Sequence, residues 1–182
     1  MKILTAQNKS DECFSSRYTR CFLAGGITGC KDWQKQTIDS LLKYESDGFS
    51  LDNLVILNPR CANFDVNNKM ASVNQIRWEY DYLTTCDILS VYFSSETIQP
   101  IVLYELGKYG EMLRRSHKLD IINDYIIVSV EKEYERSMDI KCQMRYAFDG
   151  KLKINFDADP YEHATRILEA YLRVDARKIT ER

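Results

Sequence analysis

Glu105 lies in Pro100-Ile101-Val102-Leu103-Tyr104-Glu105-Leu106-Gly107, a carboxylate set in an otherwise apolar run. If Pro100 opens a helix, Ile101, Val102, Tyr109 and Met112 fall on the same side as Glu105, at spacings of three, four and seven. An acid on an apolar stripe costs desolvation energy unless it has a partner or a task. Burial raises its pKa, and a nearby helix N-terminus lowers it. Opposed influences of this kind are typical of catalytic carboxylates. A helix N-terminal glutamate that reaches solvent fits the same residues equally well. Glu79 is the second acid of interest. In Gln75-Ile76-Arg77-Trp78-Glu79, Gln75 and Glu79 share a helix face at i,i+4, and that helix ends near the same rim as Glu105. The plainer alternative is a solvated face with local pairing among Glu79, Arg77 and Asp81.

A glycine-rich loop precedes both acids. Ala24-Gly25-Gly26-Ile27-Thr28-Gly29 follows a short apolar run, and its glycines let backbone amides approach a phosphate or a sugar. The spacing approximates a dinucleotide fingerprint. That fingerprint needs an acid ending the second strand, where this chain has Asn58-Pro59-Arg60, so dinucleotide binding is disfavoured. A simple strand-to-helix turn is the alternative. Arg60 either binds an anion or lies along the surface. Trp33 is a further candidate for the pocket, although such a residue more often packs a helix than stacks on a base.

These residues must be positioned by a regular alternation of elements. Short apolar strands are predicted at Cys21–Ala24, Leu54–Leu57, Asp87–Phe93 and Tyr125–Val130, with a weaker one at Leu152–Phe156. Helices are predicted from Asp32 to Tyr44 (inward Trp33, Ile38, Leu41, Leu42), from Ala71 to Thr85 (inward Ile76, Trp78, Tyr82, Leu83), over 100–115, and from Pro160 (inward Ala164, Ile167, Leu168, Tyr171, Val174). Residues 1–18 read as a polar tail or edge decoration, and 60–70 as a polar loop. Strands that are apolar throughout suit a parallel sheet covered on both faces. The expectation is one doubly wound, flavodoxin-like α/β domain over 19–182, with about five parallel strands in the order 2-1-3-4-5. Ligands of such sheets sit beyond the carboxyl ends of the strands at the switch point. Here that means Gly25–Asp32, Asn58–Phe64 and Ser94–Glu105.

Composition narrows the partners. The 182 residues are 45% hydrophobic and 29% charged, with net charge -2 and pI near 5.8. That balance disfavours a nucleic-acid polymer as partner and leaves room for a small ligand in one local pocket. No apolar stretch approaches the ~20 residues that span a bilayer. The first eighteen residues, with Asp11 and Glu12, do not read as a secretory signal. The six cysteines (Cys13, Cys21, Cys30, Cys61, Cys86, Cys142) form no CxxC pair, and His117 and His163 stand outside zinc-ligand spacing, so no metal site is expected. Free thiols fit a reducing, cytoplasmic setting.

Several segments then occur in order: Phe22-Leu23-Ala24-Gly25-Gly26-Ile27-Thr28-Gly29, Asp32-Trp33-Gln34, Leu57-Asn58-Pro59-Arg60, Gln75-Ile76-x-Trp78-Glu79, Cys86-Asp87-Ile88 and Pro100-Ile101-x-Leu103-x-Glu105-Leu106-Gly107. Together they resemble the nucleoside 2-deoxyribosyltransferase-like superfamily, which includes nucleoside deoxyribosyltransferases and nucleoside 5′-monophosphate N-glycosidases. The resemblance covers about residues 20–145. It implies that Glu105 attacks the anomeric carbon, that Glu79 positions the sugar or manages the leaving-base proton, and that Phe22, Gly25 and Gly26 line the sugar side. A carboxylate below C1′ can stabilise an oxocarbenium-like transition state and trap it as a glycosyl ester. A protonated second acid can donate to the departing nitrogen. No metal or redox cofactor is implied.

The chain also departs from its relatives. Thr28 stands in the glycine loop and Gln99 before Glu105, where relatives acting on monophosphates often carry a basic or hydroxylated residue and a serine. Thr28 can still bond a phosphate, and Gln99 remains a candidate substrate contact. Phe22 replaces a tyrosine associated with selection of deoxy sugars, so a ribose 2′-hydroxyl becomes acceptable. The final residues, Ile179-Thr180-Glu181-Arg182, do not resemble the aromatic terminus of some transferases. The leading expectation is an N-glycosidic enzyme acting on a nucleoside or nucleotide. The alternatives are a non-catalytic nucleotide-sensing module and a NAD glycohydrolase on a similar scaffold. A homodimer is expected, because Trp78, Tyr80, Tyr82, Tyr104 and Tyr109 cannot all face one core.

Overall fold

Four strands are buried along their whole length: Thr19–Gly25 (β2) but for one half-buried residue, Leu54–Leu57 (β3), Ile88–Phe93 (β4) and Ile126–Val130 (β5). Such strands need cover on both faces, and helices supply it. A computed structural model describes residues 1–8, 15–61 and 68–181. Among these the remaining strands are Lys2–Leu4 (β1) and Ile154–Phe156 (β6). The helices are Trp33–Ser46 (α1), Lys69–Leu83 (α2), Pro100–Ser116 (α3), Ser137–Ala147 (α4) and Pro160–Thr180 (α5), with a 3-10 helix at Leu119–Asp124.

All six strands run parallel in the order β1-β3-β2-β4-β5-β6. Without β1 this is the expected five-strand order. β1 arises inside the stretch read as a polar tail, pairing Ile3 with Ile56 and Leu4 with Leu57 at the sheet edge. Three residues, of which only Leu4 is buried, carry too little periodicity to announce a strand. Asp11, Glu12, Cys13 and the segment 62–64 of the expected second loop lie outside the described residues.

Successive side chains of β2 feed two separate cores. Phe22 and Ala24 join α2 and α3 through Trp78, Val102 and Leu106. Cys21 and Leu23 join α1 and α5 through Trp33, Leu41, Ile167 and Tyr171. His163 of α5 is buried in this second layer, where its ring nitrogens meet the hydroxyls of Ser90 at 2.7 Å and Ser129 at 2.8 Å. Burial pushes its pKa down to about 3, so it is a neutral core residue.

The helix starts have local causes. The Asp32 carboxylate accepts from Lys35 N–H at α1. Asp159 and Glu162 form a capping box at α5, with Pro160 in the first turn. The inward face of α5 is as expected. Four other expected inward residues point out: Leu42, Ile76, Ile101 and Met112. Ile76 is 64% exposed and Ile101 66%. Each lies at the border of a narrow apolar arc, where helical spacing alone does not separate the two sides. α4 buries only Ile140, which explains why its periodicity is silent in the sequence.

Candidate active site

β2 and β4 lie side by side, with Phe22 aligned to Leu89 and Gly25 to Tyr92. Their chains leave the sheet in different directions, toward α1 and α3, and the crevice between is the switch point. A cavity of about 430 Å³ opens there. Phe22, Gly25, Gly26 and Thr28 line it from the first loop, Glu79 from α2, and Gln99 and Glu105 from α3 and its approach.

α3 lays Val102, Leu106 and Tyr109 on the sheet, and the same arc carries Glu105 inward until it is 8% exposed. Burial, and secondarily the charge of Glu79, push its pKa up to about 8. Glu79 is also raised by burial, against the opposing effect of a hydrogen bond from Gln75. That bond runs from Nε2 to the Glu79 carboxylate at 2.8 Å, and the same nitrogen donates to Pro59 O at 2.7 Å. The predicted i,i+4 pair is thus a strut between α2 and the loop after β3. Two desolvated carboxyls on one cavity hold a proton more tightly than free acids do, which equips the pair for both nucleophilic and acid roles.

Gly25 and Gly26 are set by close packing. A Cβ on Gly25 would stand 2.3 Å from the Trp33 ring and 2.6 Å from Tyr92 O. One on Gly26 would meet Cys30 Sγ at 2.4 Å and Gln99 Cδ at 2.8 Å. Two expected substrate contacts, Trp33 and Arg60, stand outside the lining of this cavity. Trp33 is 1% exposed and lies behind the loop, stacked on Tyr92, with its indole N–H donating to Gly26 O at 3.0 Å. Arg60 does not line the cavity either. Its Nε donates to Gln34 Oε1 at 2.9 Å and sits 3.3 Å from Asp32, while its Nη2 donates to the carbonyls of Ile27 at 3.2 Å and Lys31 at 3.0 Å. Both residues brace the glycine loop from outside, because that loop's carbonyls turn away from the cavity and need donors.

Gln99 does line the cavity, but its amide is already bonded to protein groups on both sides. Gln34, missed in the sequence, is fully buried and part of the Arg60 bracket. A polar residue beside Trp33 on the inward face of α1 was the available signal. Thr97, also missed, lines the cavity and meets Cys30 Sγ across the two loops at 3.2 Å.

The model of the family described as nucleoside 2-deoxyribosyltransferase like matches residues 18–119, more than half of the chain. The chain belongs to this family. The matched span runs from β2 through α3 and so contains Phe22, the glycine loop, Glu79 and Glu105. No curated protein matches the chain.

In this nucleoside 2-deoxyribosyltransferase-like chain the two acids also border a second cavity, of about 460 Å³, between α2 and α3. Its walls include Ile76, Tyr80, Tyr104 and Lys108. The Lys108 ammonium sits 4.8 Å above the Tyr80 ring and 5.7 Å from that of Tyr104. No helix among the described residues is long and apolar enough to cross a membrane.

Proposed function

We propose that this chain cleaves or exchanges the N-glycosidic bond of a nucleoside or nucleoside monophosphate, with Glu105 as nucleophile and Glu79 as its acid partner. The observation that carries the reading is the pair of desolvated carboxyls on one cavity at the switch point. A Glu105 oxygen bonds C1′ as the C1′–N bond breaks, and that bond's electron pair leaves with the base nitrogen. Glu79 delivers a proton to this nitrogen. Water or a second base then attacks C1′, giving its proton to the ionised Glu79 as the C1′–O bond to Glu105 breaks and its electron pair returns to the carboxylate, so hydrolysis and transfer share the first half. In the empty site the pair retains a proton. Positive charge developing at C1′ draws the negative charge to Glu105 and leaves the proton for Glu79.

Two features narrow the substrate. The described cavity lining contains no Lys or Arg, which favours an uncharged nucleoside over its monophosphate. Phe22 adds no hydroxyl to the sugar side, which favours tolerance of ribose. The exposed Ile76, Tyr80, Ile101 and Tyr104 beside the second cavity support a homodimer. The free thiols Cys21 and Cys86 suit a cytoplasmic setting.

Chromatography of nucleosides, monophosphates and NAD incubated with the protein tests the reading. Free base from a nucleoside is expected. Nicotinamide from NAD alone would redirect it to a NAD glycohydrolase. No base from any substrate would leave a binding module.

A further inference from the structure

We propose that Gln99 is a positioning residue whose side chain clasps the glycine loop to the start of α3 and thereby sets the span between the sugar wall and Glu105. The role rests on the glycosidic reading above, and the clasp is visible in the geometry. Gln99 Oε1 accepts from Gly26 N–H at 2.9 Å. Its Nε2 donates to Ser94 O at 2.7 Å and Thr97 O at 3.3 Å. Its own carbonyl accepts from Leu103 N–H at 3.2 Å, in the first turn of α3. One buried residue therefore joins the loop after β2, the loop after β4 and the helix that carries Glu105.

The backbone of Gln99 is where this arrangement is costly. Its φ of 56° and ψ of 57° put a non-glycine residue in the left-handed region. Pro100 follows, and a residue before proline favours extended backbone. A conformation disfavoured on both counts persists only where its surroundings enforce it. Three side-chain hydrogen bonds at the edge of the catalytic cavity supply that enforcement. Gly26 is held from the opposite side as well, since its carbonyl accepts from the Trp33 indole. The loop is thus fixed at both its N–H and its C=O, and the N–H half of that grip belongs to Gln99. Glu105 lies six residues further along a rigid helix, so the clasp transmits its position directly.

Two variants test this. Gln99→Gly removes the side chain and suits the left-handed backbone, so its Tm is expected within about 5 °C of the parent. Gln99→Met keeps the side-chain length without the hydrogen bonds. Both are expected to lower kcat by about 10- to 100-fold with little change in KM. Both are also expected to speed hydrogen exchange at the Gly26 amide by about tenfold, while the β2–β4 ladder stays protected. A kcat within twofold of the parent, or a rise in KM alone, would overturn the positioning role. Unchanged Gly26 exchange would overturn the clasp itself. If the parent releases no base from any substrate, the glycosidic reading falls with the catalytic role, and faster Gly26 exchange in the variants still upholds the tie between the loops.

Discussion

Glu105 and Glu79 reach one cavity from two different helices, and the charge on Glu79 adds to burial in lifting Glu105 to about 8. Among the described residues no cation contributes to the shift at either acid. Gln75 alone opposes the rise at Glu79, through one hydrogen bond. The charge on Glu79 thus disfavours ionisation of Glu105, and altering Glu79 changes Glu105.

Glu105→Gln and Glu105→Ala are expected to lower base release by at least about a thousandfold while leaving the fold intact. Stability supplies an independent readout. A carboxyl raised from 4.5 to about 8 in the folded state contributes stability that is fully present below pH 4.5 and lost as pH rises through 8. The loss runs at about 1.4 kcal/mol per pH unit. The Gln variant lacks this titration, so its melting temperature relative to the parent should climb by several degrees between pH 5 and pH 9. Melts at three pH values check it. A constant difference would mean that Glu105 is solvated, and near-parent turnover would remove it as nucleophile.

Glu79→Gln is expected to slow kcat by about 10²- to 10⁴-fold and to change KM less, because proton delivery acts in the transition state. The substitution also removes a like charge beside Glu105. The limb of the pH–rate profile that reports Glu105 ionisation should then move to lower pH. A rise in KM with kcat intact would make Glu79 a sugar-binding group and send the search for the acid elsewhere.

Much of this arrangement was legible in the sequence. The buried strands announced themselves as unbroken apolar runs, and Glu105 stood out because its neighbours are apolar. Helix faces were less legible. Ile76 and Ile101 sit at helical spacings from core residues and yet point to solvent, because apolar patterning cannot distinguish a core from an uncovered patch. Trp33 and Arg60 read as candidate substrate contacts in the sequence, and the structure sets both against the carbonyls of the glycine loop. Their roles depend on which way the loop's carbonyls turn, a property of backbone geometry that residue types do not encode. The clasp by Gln99 escaped for the same reason, since it spans 73 residues of sequence.

Phe22→Tyr is expected to shift preference toward deoxyribosides. Phe22 is buried in β2, its ring centroid 6.0 Å from that of Trp78, and it contributes to the cavity lining. A hydroxyl added there would crowd a ribose 2′-OH without changing the sheet. The ratio of kcat/KM for matched ribo and deoxyribo substrates should move by about tenfold, the scale of one misplaced polar group. An unchanged ratio would show that C2′ lies away from Phe22.

The expected homodimer is the remaining test, and the exposed residues beside the acids make it specific. Trp78, Tyr82 and Tyr109 are buried in the core, whereas Tyr80 and Tyr104 stand out with Ile76 and Ile101 along α2 and α3. Their patch is continuous with the second cavity, which reaches Glu79 and Glu105. A second copy seated there would dry the carboxyl pair further, and desolvation is the largest cause of the raised pKa at both acids. Light scattering at micromolar concentration should give twice 21.3 kDa. Ile101→Glu with Tyr104→Lys, both on the outer face of α3, should shift the mass to that of one chain and slow turnover together. A monomeric parent would end the dimer proposal, and a monomeric variant with parental kcat would show that the neighbour takes no part in closing the Glu105 cavity.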